Sequence, residues 1–245
     1  MTHIAQILVA AGKGARASGS SGGDMPKQYR MIGGKAVLRR TIQATLAEPR
    51  ISETIIVVAD GDPYIAQLIA DLENVRFVTG GATRTASVKA GLSALADNPP
   101  DLVLIHDGAR PFVTADVIGG VINALSDASA AVPALPIPDA LKSLNGASVD
   151  REQLRRVQTP QGFQFDKIWA AFQTLDDNAS FADDIEVAQA AGLKIAFTQG
   201  DANNFKVTYP EDFAKAFTPG RKVYVPHLKS DGIVQGSPSS KGLVP

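Results

Sequence analysis

The sequence predicts an α/β protein with a mostly parallel β-sheet and helices on both faces. Short apolar segments alternate with amphipathic helical patterns, which is typical of parallel strands joined by helices. The chain has 245 residues, 44% of them hydrophobic, which is enough for one sizeable core. Strands are predicted at residues 5–10, 54–59, 75–79, 102–106, 130–135 and 194–198.

Helices are predicted between these strands from apolar residues that recur at helical spacing. Asp62 followed by Pro63 indicates a helix start, and Thr114 is predicted to cap another helix. We assign the apolar stripes, Trp169 included, to the core, because that is the usual role of such spacing. The stripes comprise Val37, Leu38, Ile42 and Leu46; Ile65, Leu68, Ile69 and Leu72; Val88, Leu92 and Leu95; Val117, Ile118, Val121, Ile122 and Leu125; and Ile168, Trp169, Phe172 and Leu175.

The composition excludes several classes of function. A net charge of −1 argues against bulk binding to nucleic acid or to an anionic membrane. The chain has no cysteine, so disulfides, zinc–thiolate sites and thiol nucleophiles are excluded. It has three histidines, and no apolar run approaches the roughly 20 residues of a membrane span. Since the N-terminus shows no leader, we expect a cytoplasmic protein.

The segment from residue 7 to residue 29 carries the strongest functional signal. An apolar strand enters a loop with Gly12 and Gly14, and the cations Arg16 and Lys27 follow. Glycines let backbone N–H groups approach phosphate oxygens and cations neutralise the remaining charge, so the segment predicts a nucleoside triphosphate site. The spacing of a P-loop is absent, and Ala at position 17 disfavours a dinucleotide fingerprint. An ordinary strand-to-loop turn would explain the glycines but not the cations.

One segment interrupts the alternation of strands and helices. Asn145-Gly146 lies between strand-like flanks, which predicts a two-residue hairpin. We expect it to project from the sheet as an arm over about residues 138–160. Such an arm either packs on a second copy of the chain or is a surface hairpin without a partner. Residues 218–245, punctuated by glycine and proline, resemble a linker appended to a domain over residues 1–217.

Further candidate functional residues follow other predicted strands. Gly80-Gly81-Ala82-Thr83 opens a helix after the third strand, and His106-Asp107-Gly108-Ala109-Arg110 follows the fourth. Lys206-Val207-Thr208 lies late in the chain. Ligands of open parallel sheets bind beyond the carboxyl ends of the strands, so we expect these segments to converge on one site.

Taken together, these motifs resemble the 2-C-methyl-D-erythritol 4-phosphate cytidylyltransferases of the non-mevalonate isoprenoid pathway. The resemblance covers roughly residues 4–217, and its strongest elements are residues 10–14, 26–29, 106–111 and 206–208. It implies a Rossmann-like nucleotidyltransferase fold with a projecting arm. It also implies an enzyme that condenses CTP with a sugar-alcohol phosphate and releases pyrophosphate, uses Mg²⁺ and forms a homodimer through its arms.

The resemblance implies a role for each matching residue. Arg16 and Lys27 would stabilise the transition state and the leaving pyrophosphate, Lys206 would contact phosphate near the reaction centre, and Arg151 would reach the sugar phosphate of the opposite subunit. Asp107 would lie near the metal. The nucleotide-binding positions are Ala10, Ala11, Gly12, Lys13, Gly14, Gly81, Ala82, Ser87 and Asp107, of which Gly81, Ala82 and Ser87 match cytosine recognition. The acceptor-binding positions are Asp107, Gly108, Arg110, Ala140, Arg151 and Lys206.

The chain departs from the family pattern at three alanines. Ala140 and Ala182 stand where a threonine is common, and Ala82 stands where an acidic residue is often found. The two missing threonine hydroxyls weaken the assignment of the acceptor, so a ribitol 5-phosphate cytidylyltransferase is an alternative. A non-catalytic nucleotide-binding module is a second alternative, which the retained cations disfavour. The chain could also be one half of a bifunctional enzyme.

Two polar features receive structural interpretations. His106 is expected in the core or supporting the site, because this reaction needs no strong base. Asp183-Asp184 is expected at a helix start, where carboxylates favour the helix dipole, rather than in a metal pair.

Overall fold

A central sheet organises the molecule, of which the computed structural model describes residues 2–12, 25–176 and 179–216. Its strand order is β10-β7-β11-β6-β1-β4-β5, and β12 pairs with β7. All pairings are parallel except those of β10 and β11, which run antiparallel to their neighbours. The sheet strands are β1 Ile4–Val9, β4 Ile51–Val58, β5 Val75–Thr79, β6 Leu102–Asp107, β7 Ala130–Leu135, β10 Arg156–Val157, β11 Gln161–Gln164 and β12 Ile195–Gln199; β2 Met31–Ile32 pairs with β3 Lys35–Ala36, and β8 Leu141–Lys142 pairs with β9 Ser148–Val149.

Helices cover both faces of this sheet, as predicted. They are α1 Val37–Thr45, α2 Ile65–Ile69, α3 Arg84–Ser93, α4 Ala115–Ala124, α5 Phe165–Gln173, α6 Asp184–Ala190 and α7 Pro210–Ala216. Alternate strand residues face opposite sides: Ile7 and Ile105 pack with α3, α5 and α6, whereas Leu8 packs with α1 and α2, and Leu104 packs with α4. The predicted apolar stripes lie in these clusters, and Trp169 packs partly buried against the core.

All six predicted strands are confirmed, with bounds shifted by three residues or fewer. The sequence did not predict β11, which enters antiparallel between β6 and β7. Its Gly162 lets α4 approach closely, since a Cβ there would lie 2.5 Å from Val121 Cγ1. A four-residue strand with glutamine at both ends carries little apolar pattern, which explains the omission.

Of the two predicted helix starts, one is confirmed and the other lies two residues further along the chain. Thr114 caps α4, because its hydroxyl accepts a hydrogen bond from the Val117 N–H at 3.3 Å. At Asp62-Pro63 the helix begins two residues later than expected, at Ile65. The Asp62 carboxylate still accepts hydrogen bonds from the N–H groups of Tyr64 and Ile65, at 2.9 and 3.2 Å, and so satisfies the first turn.

The predicted hairpin forms between β8 and β9, but its loop has three residues rather than two. Ser143 and Ala147 close the ladder through a 2.9 Å bond, and the Gly146 N–H donates to the Ser143 carbonyl. Gly146 has φ +87°, so the loop is a turn completed by a glycine in the left-handed region. Residue 217 and the tail of residues 218–245 lie outside the described residues.

Within the described part of the chain, we find no helix with both the length and the apolar character needed to cross a membrane.

Candidate active site at the strand ends

A cavity of about 840 Å³ opens where β1, β4, β5 and β6 end side by side. The segments that follow these four strands form most of its wall, as the rule for open parallel sheets predicts. Glycine or alanine occupies much of this wall, so the backbone is accessible to a ligand. The wall consists of residues 9–12, 27–28, 59–60, 80–84 and 107–109 together with Ser87, Lys206 and Thr208.

Ten of the candidate site residues lie in this wall, and three others among the described residues lie outside it. Arg110 is in contact with a wall residue, Asp107. Ala140 and Arg151 lie in the exposed arm and are not among the described residues of the wall. Lys13, Gly14 and Arg16 fall outside the described residues. The ten in the wall are Ala10, Ala11, Gly12, Lys27, Gly81, Ala82, Ser87, Asp107, Gly108 and Lys206.

Asp107 is the charged centre of the cavity. Its Oδ2 lies 3.0 Å from Lys206 Nζ and 3.3 Å from Arg110 Nε. Arg110 also donates from Nη1 to the Asn204 carbonyl at 2.7 Å, which ties the loop after β6 to the segment that carries Lys206. Burial alone would raise the pKa of Asp107, but the charges of Lys206, Arg110 and Arg84 outweigh it and hold the pKa well below its usual range. Asp107 is therefore an anion at any working pH.

A buried hydrogen-bond chain fixes the backbone of Asp107. Its N–H donates to Thr159 Oγ1 at 3.1 Å, and Thr159 Oγ1 lies 2.9 Å from His106 Nδ1. His106 Nε2 lies 3.2 Å from the Arg110 carbonyl. His106 is fully buried, as expected of a supporting residue, and burial lowers its pKa to about 4. Thr159 was not predicted, since nothing in its local sequence marks a residue 52 positions from Asp107.

Lys27 is held at the cavity by a short segment with three separate contacts. Its Nζ donates to the Val207 carbonyl at 3.0 Å, and Gln28 Nε2 donates to the Ala10 carbonyl at 2.9 Å. The Tyr29 hydroxyl donates to Asp62 at 2.7 Å. Burial and the bond to Asp62 raise the pKa of Tyr29 well above its usual range. These contacts join Lys27 to the loops after β1 and β4 and to the Lys206 segment.

The turn between β5 and α3 is closely packed. Thr83 caps α3 by accepting a bond from the Ala86 N–H at 3.0 Å. The Ser87 hydroxyl contacts the Thr83 carbonyl at 2.9 Å and the Gly81 carbonyl at 3.3 Å, so it braces the turn from inside. A Cβ at Gly81 would lie 2.5 Å from Ala86 Cβ, so the backbone can follow this path only without a side chain.

Arg84, which lies in the cavity wall, forms an ion pair with Asp184 that sequence reasoning missed. Arg84 Nη1 and Nη2 lie 2.9 and 2.7 Å from the two carboxylate oxygens of Asp184, whose side chain is 1% exposed. Burial alone would lower the pKa of Arg84, but the charge of Asp184 outweighs it and raises the pKa. Asp183 caps α6 by accepting a bond from the Glu186 N–H at 3.0 Å, as expected.

The carboxylates in the cavity wall are the candidate ligands for a metal ion. No cluster of three or more His, Cys, Asp or Glu side chains suited to a metal ion occurs in the described residues. Asp60 and Asp107 line the cavity, and both contacts of Asp107 to cations are made by Oδ2. Mg²⁺ commonly takes one or two protein carboxylates together with substrate phosphates. This donor set therefore fits a magnesium ion that is shared with a bound triphosphate.

Comparison with known proteins identifies relatives over most of the chain. The model of the family described as IspD, 2-C-methyl-D-erythritol 4-phosphate cytidylyltransferase, matches residues 4–218. The 2-C-methyl-D-erythritol 4-phosphate cytidylyltransferase of Cereibacter sphaeroides is 44% identical over 218 residues, which cover 86% of this chain and 94% of that protein. The bifunctional enzyme IspD/IspF of Paracoccus denitrificans is 47% identical over 218 residues, 86% of this chain and 54% of that protein. This chain thus spans nearly all of the first relative and about half of the second.

Solved structures give the same result. The 4-diphosphocytidyl-2C-methyl-D-erythritol synthase of Anaerococcus prevotii superposes with a TM-score of 0.76 at 30% identity, covering 88% of this chain and 94% of that structure. The 2-C-methyl-D-erythritol 4-phosphate cytidylyltransferase of Thermus thermophilus superposes with a TM-score of 0.71 at 32% identity, covering 87% and 97% of the two chains.

Proposed function

The chain belongs to the 2-C-methyl-D-erythritol 4-phosphate cytidylyltransferase family, and we propose that it joins CTP to 2-C-methyl-D-erythritol 4-phosphate. The products are 4-diphosphocytidyl-2-C-methyl-D-erythritol and pyrophosphate, and the reaction serves isoprenoid biosynthesis. The observation that carries this proposal is the glycine- and alanine-lined cavity at the ends of four strands, with Lys27 and Lys206 in its wall.

The reaction exchanges one phosphoanhydride bond for another. An oxygen of the acceptor phosphate attacks the α-phosphorus of CTP, a new P–O bond forms, and the bond to the bridging oxygen of the β-phosphate breaks. Pyrophosphate leaves with that electron pair. Both reactants are anions, so positioning and charge stabilisation provide most of the rate enhancement, and no protein nucleophile is required.

The described residues supply these two effects. Lys27 is a cation in the cavity wall, and the neighbouring Gln28 bonds the Ala10 carbonyl, so Lys27 is held near the loop after β1 against which the triphosphate would lie. Lys206 and Arg110 converge on Asp107, so their charges are held at one point of the cavity before substrate binds. Such preorganised charges stabilise the charge that develops on the phosphoryl oxygens. The roles of Lys13, Gly14 and Arg16 rest on the family resemblance alone.

We further propose that Asp107 holds Mg²⁺ jointly with the triphosphate. When bound, the ion would neutralise charge on the phosphoryl oxygens and on the leaving pyrophosphate. Ser87, Gly81 and Ala82 would form the cytosine site at the β5–α3 turn. We also propose that the chain acts as a homodimer in the cytoplasm, with Arg151 contacting the acceptor bound to the other subunit.

Pyrophosphate release tests the proposed function. We expect release from CTP and Mg²⁺ with 2-C-methyl-D-erythritol 4-phosphate, and little release with ribitol 5-phosphate in a parallel reaction. Lys27→Ala should lower kcat/KM on the order of 100-fold, because one charged donor to the transition state is worth about 3 kcal/mol. Lys35→Ala is the matched control, since Lys35 bonds Gln43 and is not among the wall residues.

Each other result has a defined meaning. Release only with ribitol 5-phosphate would move the substrate assignment to the alternative acceptor. Binding of CTP without release from either acceptor would favour a nucleotide-binding module.

A further inference from the structure

Arg84 and Asp184 lie at the starts of two helices that meet beside the cavity. Arg84 is the first residue of α3 and lines the cavity, and Asp184 is the first residue of α6. The guanidinium and the carboxylate meet through two parallel contacts of 2.9 and 2.7 Å. The two residues are 100 positions apart in the sequence, so the fold alone brings them together.

The stability of the fold alone does not explain an ion pair at this position. A cation in the first turn of a helix opposes the helix dipole, and Arg84 occupies that position in α3. Burying an ion pair also costs desolvation, and an apolar pair of similar volume often serves stability equally well. A cation kept there against both costs is explained if it faces an anionic ligand.

Arg84 keeps hydrogen-bonding capacity toward the cavity. The paired contacts to Asp184 use two of the five N–H groups of a guanidinium. The Arg84 side chain is 25% exposed, whereas that of Asp184 is 1% exposed, so the open side of the pair is the arginine. Its charge also contributes to lowering the pKa of Asp107, which places it within electrostatic reach of the cavity centre.

Asp184 is itself held by backbone hydrogen bonds that do not involve Arg84. The Gln161 side-chain oxygen accepts hydrogen bonds from the N–H groups of Asp184 and Ile185, at 3.0 and 3.1 Å. Gln161 lies in β11 and is 1% exposed. Thr85 in α3 accepts a 3.1 Å bond from the Phe181 N–H, which joins the two helix starts a second time. The backbone that carries the Asp184 carboxylate is therefore anchored to the sheet.

We propose that Arg84 contacts the bound nucleotide and that Asp184 is the positioning residue that holds its guanidinium toward the cavity. This inference rests on the proposed function and adds two residues to its nucleotide site. The nucleotide rather than the acceptor is the partner, because Arg84 directly follows the Gly80–Thr83 turn in the wall, whereas Lys206 and Arg110 gather at Asp107.

Direct binding of CTP tests this proposal without the acceptor. We would measure Kd for CTP with Mg²⁺ by calorimetry for Arg84→Lys, which keeps the charge but loses the planar fork, and for Asp184→Asn, which keeps the shape but loses the charge. Each variant should bind CTP at least tenfold more weakly. Asp184→Glu should recover part of the affinity, and it replaces Asp184→Asn if that variant does not fold.

The double variant separates a positioning role from a structural one. If Asp184 acts through Arg84, then Arg84→Lys with Asp184→Asn should bind CTP no more weakly than Arg84→Lys alone. Additive losses would overturn the positioning role. Asp71→Asn is the matched control, because it removes the acid of the exposed Arg39–Asp71 pair, which is not among the cavity residues.

The remaining outcomes are also decisive. Wild-type affinity in both single variants would overturn the inference and leave the proposed function standing. Failure of the wild-type protein to bind CTP would overturn both.

Discussion

His106 has one hydrogen-bonding arrangement that satisfies all its neighbours. The Arg110 carbonyl can only accept, so Nε2 carries the proton and Nδ1 accepts from the Thr159 hydroxyl. Thr159 Oγ1 in turn accepts from the Asp107 N–H. A proton added to Nδ1 would face the proton of the Thr159 hydroxyl and break this hydrogen-bond chain. The chain positions the backbone of Asp107. The neutral imidazole is therefore the form that supports the site.

We expect the stability of the protein to fall as pH drops from about 6.5 to about 4. The unfolded chain protonates its histidines near pH 6.5, whereas burial lowers the pKa of native His106 to about 4. The unfolded state binds more protons in this window, so the contribution of His106, about 3 kcal/mol, is complete above pH 6.5 and is lost by pH 4. Urea unfolding at pH 7 and pH 4.5 measures it.

His106→Gln isolates this contribution from that of the carboxylates, because it removes only the imidazole. The variant should be less stable at pH 7 and should show a smaller drop between the two pH values. The same drop in both proteins would show that His106 does not control this window.

At the residue scale, sequence motifs located residues that the fold brings together in the cavity wall. Asp107 and Lys206 were identified from motifs at predicted chain positions, and the fold brings them to 3.0 Å. Arg84 was missed, although a cation in the first turn of a helix was a usable signal that an acidic partner lies nearby. The identity of that partner, Asp184, depends on tertiary structure, and no local pattern could reveal it.

At the element scale, the turn between β5 and α3 shows how packing limits the sequence. A Cβ at Gly80 would lie 2.7 Å from Ser87 Oγ and 2.9 Å from both Ala11 Cβ and Val57 Cγ1. Three elements therefore press on one position, and none of these neighbours is the free end of a long side chain. The glycine lets the loop after β1 and the start of α3 share the cavity wall.

We predict that Gly80→Ala destabilises the protein by about 1–3 kcal/mol, which is the usual cost of overpacking. It should also weaken CTP binding, because two of the displaced neighbours, Ser87 and Ala11, lie in the cavity wall. Chemical unfolding and calorimetry measure the two effects. Gly120→Ala is the control: it lies within α4, and its nearest neighbour would be Thr198 Cβ at 4.0 Å. It should raise stability by up to about 1 kcal/mol. Equal effects from the two alanines would contradict this interpretation.

The strands could be predicted because each of the six is a mainly apolar run, and four of them, β1, β4, β6 and β7, are largely buried. The elements that were missed or misjudged depend on fewer residues. β11 is short and antiparallel, and the hairpin loop gained a third residue because Gly146 takes the left-handed conformation. Both depend on backbone hydrogen bonds between segments rather than on the hydrophobic periodicity within one segment.

At the scale of the whole molecule, the arm exposes apolar side chains in the single chain. Residues 142–157 are exposed throughout, and they include the apolar side chains Leu144, Val149, Leu154 and Val157. Arg151 contacts Glu152 at 3.3 Å and the Pro138 carbonyl, both within the arm. A second copy of the chain would cover this apolar surface and receive Arg151 at its own site, which is the arrangement that the family resemblance implies.

Mixing two inactive variants tests this arrangement. In a symmetric dimer with Arg151 acting across the interface, Lys27→Ala and Arg151→Ala damage each site through different subunits. A mixed dimer then contains one site with both native residues and one with neither. Equimolar subunits exchanged at random should therefore recover about a quarter of the wild-type pyrophosphate release. If Arg151 served the site of its own chain, every site would lack one residue and no activity would return.

The oligomeric state must be measured beside the activity, because recovery requires exchange of subunits. We expect a dimer by light scattering and a monomer for Leu144→Asp combined with Leu154→Asp, since two buried charges would oppose association. Phe197→Asp is the matched control, because Phe197 is an exposed apolar residue on β12, outside the arm, and this variant should remain dimeric. Recovered activity in the Lys27→Ala and Arg151→Ala mixture, abolished when both chains also carry the two arm substitutions, would establish that the arms complete the active sites. A monomeric wild-type protein with full activity would instead make the arm a surface hairpin, and Arg151 would then have no role across subunits.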